Sequence, residues 1–191
     1  MDGAATGVPG LVPAVADDDS RPREGGPDPD PRYIVVDGRR WRVTDPSIPP
    51  GLRSQLVGEL MAARRDVGAA VRSGDAGAEH QARRRVQNAK LALGERGEPW
   101  WEEPTVEGRR RRIAATMLSL LRARLPASSV CPSDVARAVG GRHWRTLLPM
   151  VRDVAGALVA SEVVRVTQGA VPVEVTTARG PVRIRRGAEF A

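Results

Sequence analysis

Between residues 52 and 71 the apolar side chains fall at Leu52, Leu56, Leu60, Ala63, Val67 and Val71. Steps of three and four place them on one face of a helix. Ala82, Val86, Ala89 and Leu93 resume the same period after the turn signal Ser73-Gly74-Asp75-Ala76-Gly77. Two helices joined by so short a loop are predicted to fold back on each other. Ahead of them lie two β-rich runs, Tyr33-Ile34-Val35-Val36 and residues 39–43, around Asp37-Gly38. A type I′ turn needs positive φ at both central residues, which Asp-Gly accepts, so a β-hairpin is predicted here.

The second half changes rhythm. Thr105 is a suitable N-cap ahead of Glu107, and Ile113, Met117, Leu120, Leu121 and Leu125 give a helix its apolar stripe until Pro126. Arg122 falls opposite that stripe, which predicts a solvated position. Pro132-Ser133-Asp134 opens a short second helix that Gly140-Gly141 stops. A third helix is expected over residues 142–161 with Pro149 inside it. Trp144, Leu147, Leu148, Val151, Val154 and Leu158 form its apolar face, so Trp144 is expected to be buried. Two β-rich runs, 163–167 and 182–186, follow around a looser stretch. The expected fold class is therefore mainly α with small β-hairpins (α+β): a helical hairpin plus a winged helix-turn-helix-like domain.

Three segments result. Residues 1–31 are acidic, rich in Gly and Pro and without apolar period, and are expected to be disordered. Residues 32–103 hold the β-hairpin and helical hairpin, and residues 104–191 the winged-helix-like domain. Formal charge is about −5 in the first segment, +3 in the second and +9 in the third. A basic carboxy-terminal half suggests a polyanionic partner. The basic residues are almost all arginine, Lys90 being the single lysine, which composition bias alone also produces.

Candidate chemistry follows from the faces. Arg142, Arg145 and Arg152 lie opposite the apolar stripe of the third helix, the side that a winged helix turns to the major groove. Arg165, Gln168, Arg183 and Arg185 lie on the two strands of the wing, where alternation sets Arg183 and Arg185 against Val182 and Ile184. These seven residues are the expected nucleic-acid contacts. The run Arg109-Arg110-Arg111-Arg112 spreads round a helix, so no one face receives all four. The alternative partner is a protein docked at Trp100 and Trp101, in an adaptor without nucleic-acid binding. Either way the expected role is non-enzymatic. Glycine-rich phosphate loops and nucleophile elbows are absent from the sequence. One cysteine, Cys131, and two histidines, His80 and His143, leave no zinc-ligand spacing. Neither metal nor cofactor is expected. Residues 1–19 lack the basic and long apolar regions of a signal peptide, and no stretch reaches a membrane span. Cytoplasmic location without a membrane partner is the expectation.

Three stretches stand in order: residues 130–137, Val-Cys-Pro-Ser-Asp-Val-Ala-Arg; residues 144–152, Trp-Arg-Thr-Leu-Leu-Pro-Met-Val-Arg; and Thr167-Gln168-Gly169 with Ala178-Arg179-Gly180-Pro181-Val182-Arg183. In these, residues 105–187 resemble the bacterial domain-of-unknown-function family numbered 3253. Residues 33–103 resemble short bacterial proteins that end in Gly-Glu-Pro-Trp-Trp, as residues 97–101 do, and that are labelled biopolymer transporter Tol. Neither resemblance implies a catalytic residue.

Overall fold

The computed structural model describes residues 30–190, so nearly all of the expected disordered tail lies outside the described residues. Strands β1 (Tyr33–Val36) and β2 (Arg39–Arg42) pair antiparallel, with Val36 opposite Arg39. Asp37 and Gly38 both take positive φ, 50° and 71°, as a two-residue I′ turn requires.

Helix α1 (Pro50–Ser73) begins with proline in its first turn and ends at Gly74, which takes the left-handed conformation at φ 71°. Asp75 caps α2 (Ala76–Ala92) by accepting from the Ala78 N–H at 2.9 Å. Leu52, Leu56, Leu60 and Ala63 are buried as the period predicts, whereas Val71 near the open end is half exposed.

Thr105 caps α3 (Val106–Ala123), its hydroxyl accepting from Gly108 N–H at 2.9 Å. Glu98 in turn accepts from the Thr105 N–H and hydroxyl at 2.9 and 2.6 Å. A carboxylate there also faces the positive end of the helix. Leu125 lies beyond the helix and is exposed, contrary to its place in the expected stripe. Helix α4 (Pro132–Gly140) follows.

The expected long third helix is two pieces. Residues Gly141–Leu147 form a 3₁₀ segment, and α5 (Leu148–Ala160) starts afresh with Pro149 in its first turn. Proline lacks the N–H that a helix interior needs but fits the first turn, where no such bond is made. Trp144 lies on the 3₁₀ segment, whose three-residue period shifts its phase against α5. It is half-buried rather than enclosed, with the Arg137 and Arg145 guanidinium carbons 4.7 and 4.6 Å from its ring.

Strand β3 (Val164–Gln168) pairs with β4 (Val171–Pro172) on one side and β5 (Arg183–Arg186) on the other, all antiparallel. Val130, between α3 and α4, adds a bridge to Ile184, with mutual backbone bonds of 2.8 and 2.9 Å.

One apolar core serves both halves. Leu52, Leu56, Leu60 and Leu93 join Ile113, Met117, Leu120, Val135, Val151, Val164 and Ile184 in a single cluster. It does not divide at residue 103. No helix among the described residues is long and apolar enough to cross a membrane.

Candidate nucleic-acid interface

The sheet β4-β3-β5 turns Val164, Val166 and Ile184 inward, and Val182 is buried just ahead of β5. Alternation then puts Arg165, Arg183 and Arg185 on its outer face. Arg165 stands directly opposite Arg185, and Arg183 lies opposite Thr167. Like charges directly opposed on a sheet cost stability. Arg185 partly relieves this by donating to Ala127 O at 2.7 Å and Thr167 Oγ1 at 3.4 Å. Arg165 and Arg183 are exposed, and none of the three has an acid partner among the described residues. A shallow cleft of about 730 Å³ runs beside this face, with Arg124, Arg183, Arg185, Ser128 and Ser129 on its walls.

Arg142 and Arg145 form a second basic site, on the 3₁₀ segment that precedes α5. Both are exposed; Arg142 Nε donates to His143 Nε2 at 2.9 Å. Gly141, at φ 48°, makes the turn that leads into the segment.

The other expected contacts are engaged inside the fold. Arg152 donates to Val175 O at 3.1 Å, Ala178 O at 2.7 Å and Gly180 O at 3.3 Å. It thereby holds residues 173–180 over α5, where a Cβ on Gly156 would lie 3.5 Å from Val175 Cγ1. Gln168 Nε2 donates to Arg179 O at 2.8 Å and closes the base of the same loop. The exposed positions of α5 are Pro149, Asp153, Ala157, Val159 and Ala160, none of them basic.

Much of the remaining arginine is bound to acids or carbonyls. In the run 109–112, Arg109 pairs with Glu103, Arg111 with Glu107 at 3.8 Å, and Arg112 with the buried Asp45 at 2.7 Å. Arg124 joins Gln55, Ser129 O and Asp134. Arg186 caps the end of α3 by donating to the carbonyls of Leu121, Arg122 and Arg124. Arg122, expected in solvent, is half-buried with its guanidinium carbon 4.7 Å from the Phe190 ring. Burial, with Arg85 next in weight, pushes its pKa down to about 10.

Trp100 donates its indole N–H to Val43 O at 3.2 Å. Trp101 meets Trp100 and Tyr33 edge-on, at 5.1 and 5.6 Å between ring centroids, and Arg32 stacks on it at 4.6 Å. Both indoles thus lie in the packing between the β-hairpin and the loop that leads to α3. Cys131 stands at the start of α4, its sulfur 2.9 Å from the Ser133 hydroxyl.

The curated proteins contain no match to this chain. The resemblance read over residues 33–103 has no counterpart among the family matches, which begin at residue 110. Residues 110–187, from α3 through β5, match the family described as Protein of unknown function (DUF3253).

Proposed function

We propose that this chain is a non-catalytic, cytoplasmic DNA-binding protein whose residues 104–191 act as a winged helix on the phosphate backbone. The observation that carries the reading is the outer face of the β3–β5 sheet. Three arginines share it, two of them directly opposed, with no acid partner among the described residues. A fold retains such a face at a cost, and a polyanion would remove that cost. The order α3, Val130 bridge, α4, α5, β3, β5 agrees with a winged helix, in which α5 is the groove-facing helix and residues 169–182 the wing. Arg142 and Arg145 then stand at the leading end of the groove-facing unit, where such helices meet DNA.

The contact set narrows accordingly. Arg142, Arg145, Arg165 and Arg183 are exposed and have no acid partner among the described residues, which leaves their charge available to phosphates. Arg152, Arg185 and Gln168 hold the wing in shape. Among the exposed positions of α5 only Asp153 could read a base, by accepting from a cytosine amine, so binding is expected to be largely sequence-independent.

The test is fluorescence anisotropy of the full-length chain with random duplex DNA across a salt series. Four phosphate contacts predict a log-log slope of about −3.6, and a low-salt Kd tighter than ~10⁻⁴ M. Weaker binding than that, or binding indifferent to salt, overturns the proposal.

A further inference from the structure

The first half of the chain carries a site of different character. The outer face of the β-hairpin leaves Ile34 50%, Val36 47% and Trp41 39% exposed, and Val57 and Met61 of α1 are each 36% exposed. These five side chains line one groove of about 850 Å³ between β1–β2 and α1. That volume lies in the range of small-molecule pockets. The apolar side chains of a hairpin and a helix would ordinarily close on each other, yet here they stand open together.

The groove also holds one buried cation. Lys90, the only lysine of the chain, rises from α2 with its side chain 6% exposed. Its Nζ lies 4.3 Å from the centroid of the Trp41 ring and 3.9 Å from Glu95 Oε2. The latter separation is an ion pair beyond hydrogen-bond reach. Glu95 is held back because its other oxygen accepts from Thr44 Oγ1 at 2.9 Å. An ammonium has three N–H donors, and Lys90 Nζ makes no hydrogen bond among the described residues yet is not sealed from solvent, so an acceptor in the groove can reach it. Burial lowers the Lys90 pKa, Glu95 opposes the shift, and Arg64 and Arg96 add to it. Arg39 and Arg64 stand at the exposed rim of the groove. Asp37 also lines the groove, so the site is apolar along its length, with the Lys90–Glu95 pair at its floor and a mixed, mainly basic edge.

We propose that this groove binds a small amphipathic monocarboxylic acid, its apolar body lying on Ile34, Val36, Trp41, Val57 and Met61 and its carboxylate on Lys90 Nζ. The ligand would supply the acceptor that Glu95 is too distant to provide. A neutral analogue of the same shape would fill the groove but bring no negative charge to the ammonium. This site is separate from the arginines of the wing and does not depend on nucleic-acid binding.

Decanoate and 1-decanol are the probes, titrated into the full-length chain by calorimetry. Decanoate should bind saturably, one per chain, and more tightly than decanol. Lys90→Met keeps the length and apolar character of the side chain while removing the charge. It should weaken decanoate at least about tenfold and leave decanol unchanged. Met61→Arg, at an exposed position, should weaken both. A second readout needs no variant. With one lysine in the chain, ¹³Cε-lysine labelling gives a single resonance, and its titration should move to higher pH as decanoate saturates the site. Absence of saturable decanoate binding overturns the proposal, as does equal binding by Lys90→Met or an unmoved lysine titration. Binding that appears only after removal of residues 1–29 would assign the groove to the chain's own amino-terminal segment. A dimer separated by Met61→Arg and indifferent to decanoate would assign it to a second copy. Either result overturns the proposal too.

Discussion

Arginines at the seam between the two halves and arginines on the wing share a side chain but not their surroundings. At the seam, Arg112 reaches from α3 to Asp45, which is 3% exposed and also accepts from the Ser47 N–H and hydroxyl at 2.9 and 2.7 Å. Within the first half, Arg85 of α2 meets Glu59 of α1 in the same way, at 2.8 and 3.1 Å. In both cases a long side chain crosses between elements, and its charge is matched by a buried carboxylate. On the wing sheet, Arg165 and Arg183 point outward and meet no acid among the described residues. The difference separates structural charge from available charge. A count of arginines, or the +9 of the carboxy-terminal segment, merges the two.

The seam gives the largest expected effect. Arg112→Leu removes the cation and leaves the Asp45 carboxylate buried without it. Loss of one partner from a buried pair costs about 3–5 kcal/mol. Urea denaturation of the full-length protein should show that loss as one cooperative transition, because the core is continuous across residue 103. A cost under ~1 kcal/mol, or two separate transitions, would show that the halves are joined loosely and that Arg112 is no clasp.

Arg152 sits between the two classes, an arginine expected on the DNA side that the fold uses internally. Arg152→Ala leaves the carbonyls of Val175, Ala178 and Gly180 without this donor, at about 2 kcal/mol. Hydrogen exchange should quicken in residues 173–180 first. The salt dependence of DNA binding should keep its slope, since no phosphate contact is lost. A flattened slope with unchanged exchange would move Arg152 back to the DNA-contacting set.

What could be read beforehand follows the range of the forces involved. The Asp37-Gly38 turn, the Asp75 and Thr105 caps and the stripe Leu52-Leu56-Leu60 are decided by neighbours within four residues, and the sequence displays them. Leu125 and Val71 departed from their stripes because each lies at or past the end of its helix, where periodicity has no packing behind it. The break at Leu147–Leu148 had a local signal in Pro149, which is better suited to a first turn than to an interior. Trp144 leaves the expected apolar face for the same reason, because a 3₁₀ segment does not keep the phase of an α-helix. The roles of Arg112, Arg152 and Arg186 had no local signal. Their acceptors lie 67, 23 to 28 and 62 to 65 residues away. The groove beside Lys90 was hidden for the same reason, since it is assembled from β1, β2, α1 and the end of α2.

The smallest expected change in stability belongs to the wing and carries the sharpest functional reading. Arg183 is exposed and its side chain has no hydrogen-bond or acid partner among the described residues, its chain neighbours being the buried Val182 and Ile184. Arg183→Ala should therefore alter unfolding by no more than ~0.5 kcal/mol. If its guanidinium meets a phosphate, the substitution removes one counterion-releasing contact. The log-log salt slope should become shallower by about 0.9. Arg72, exposed in the last turn of α1 and remote in sequence from the wing, is the reference. Arg72→Ala removes the same formal charge, so the two proteins have equal net charge. A slope changed by Arg183→Ala and not by Arg72→Ala assigns the DNA contact to the wing. Equal changes would mean that DNA responds to net charge alone, and the outer face of the β3–β5 sheet would lose its claim as an interface.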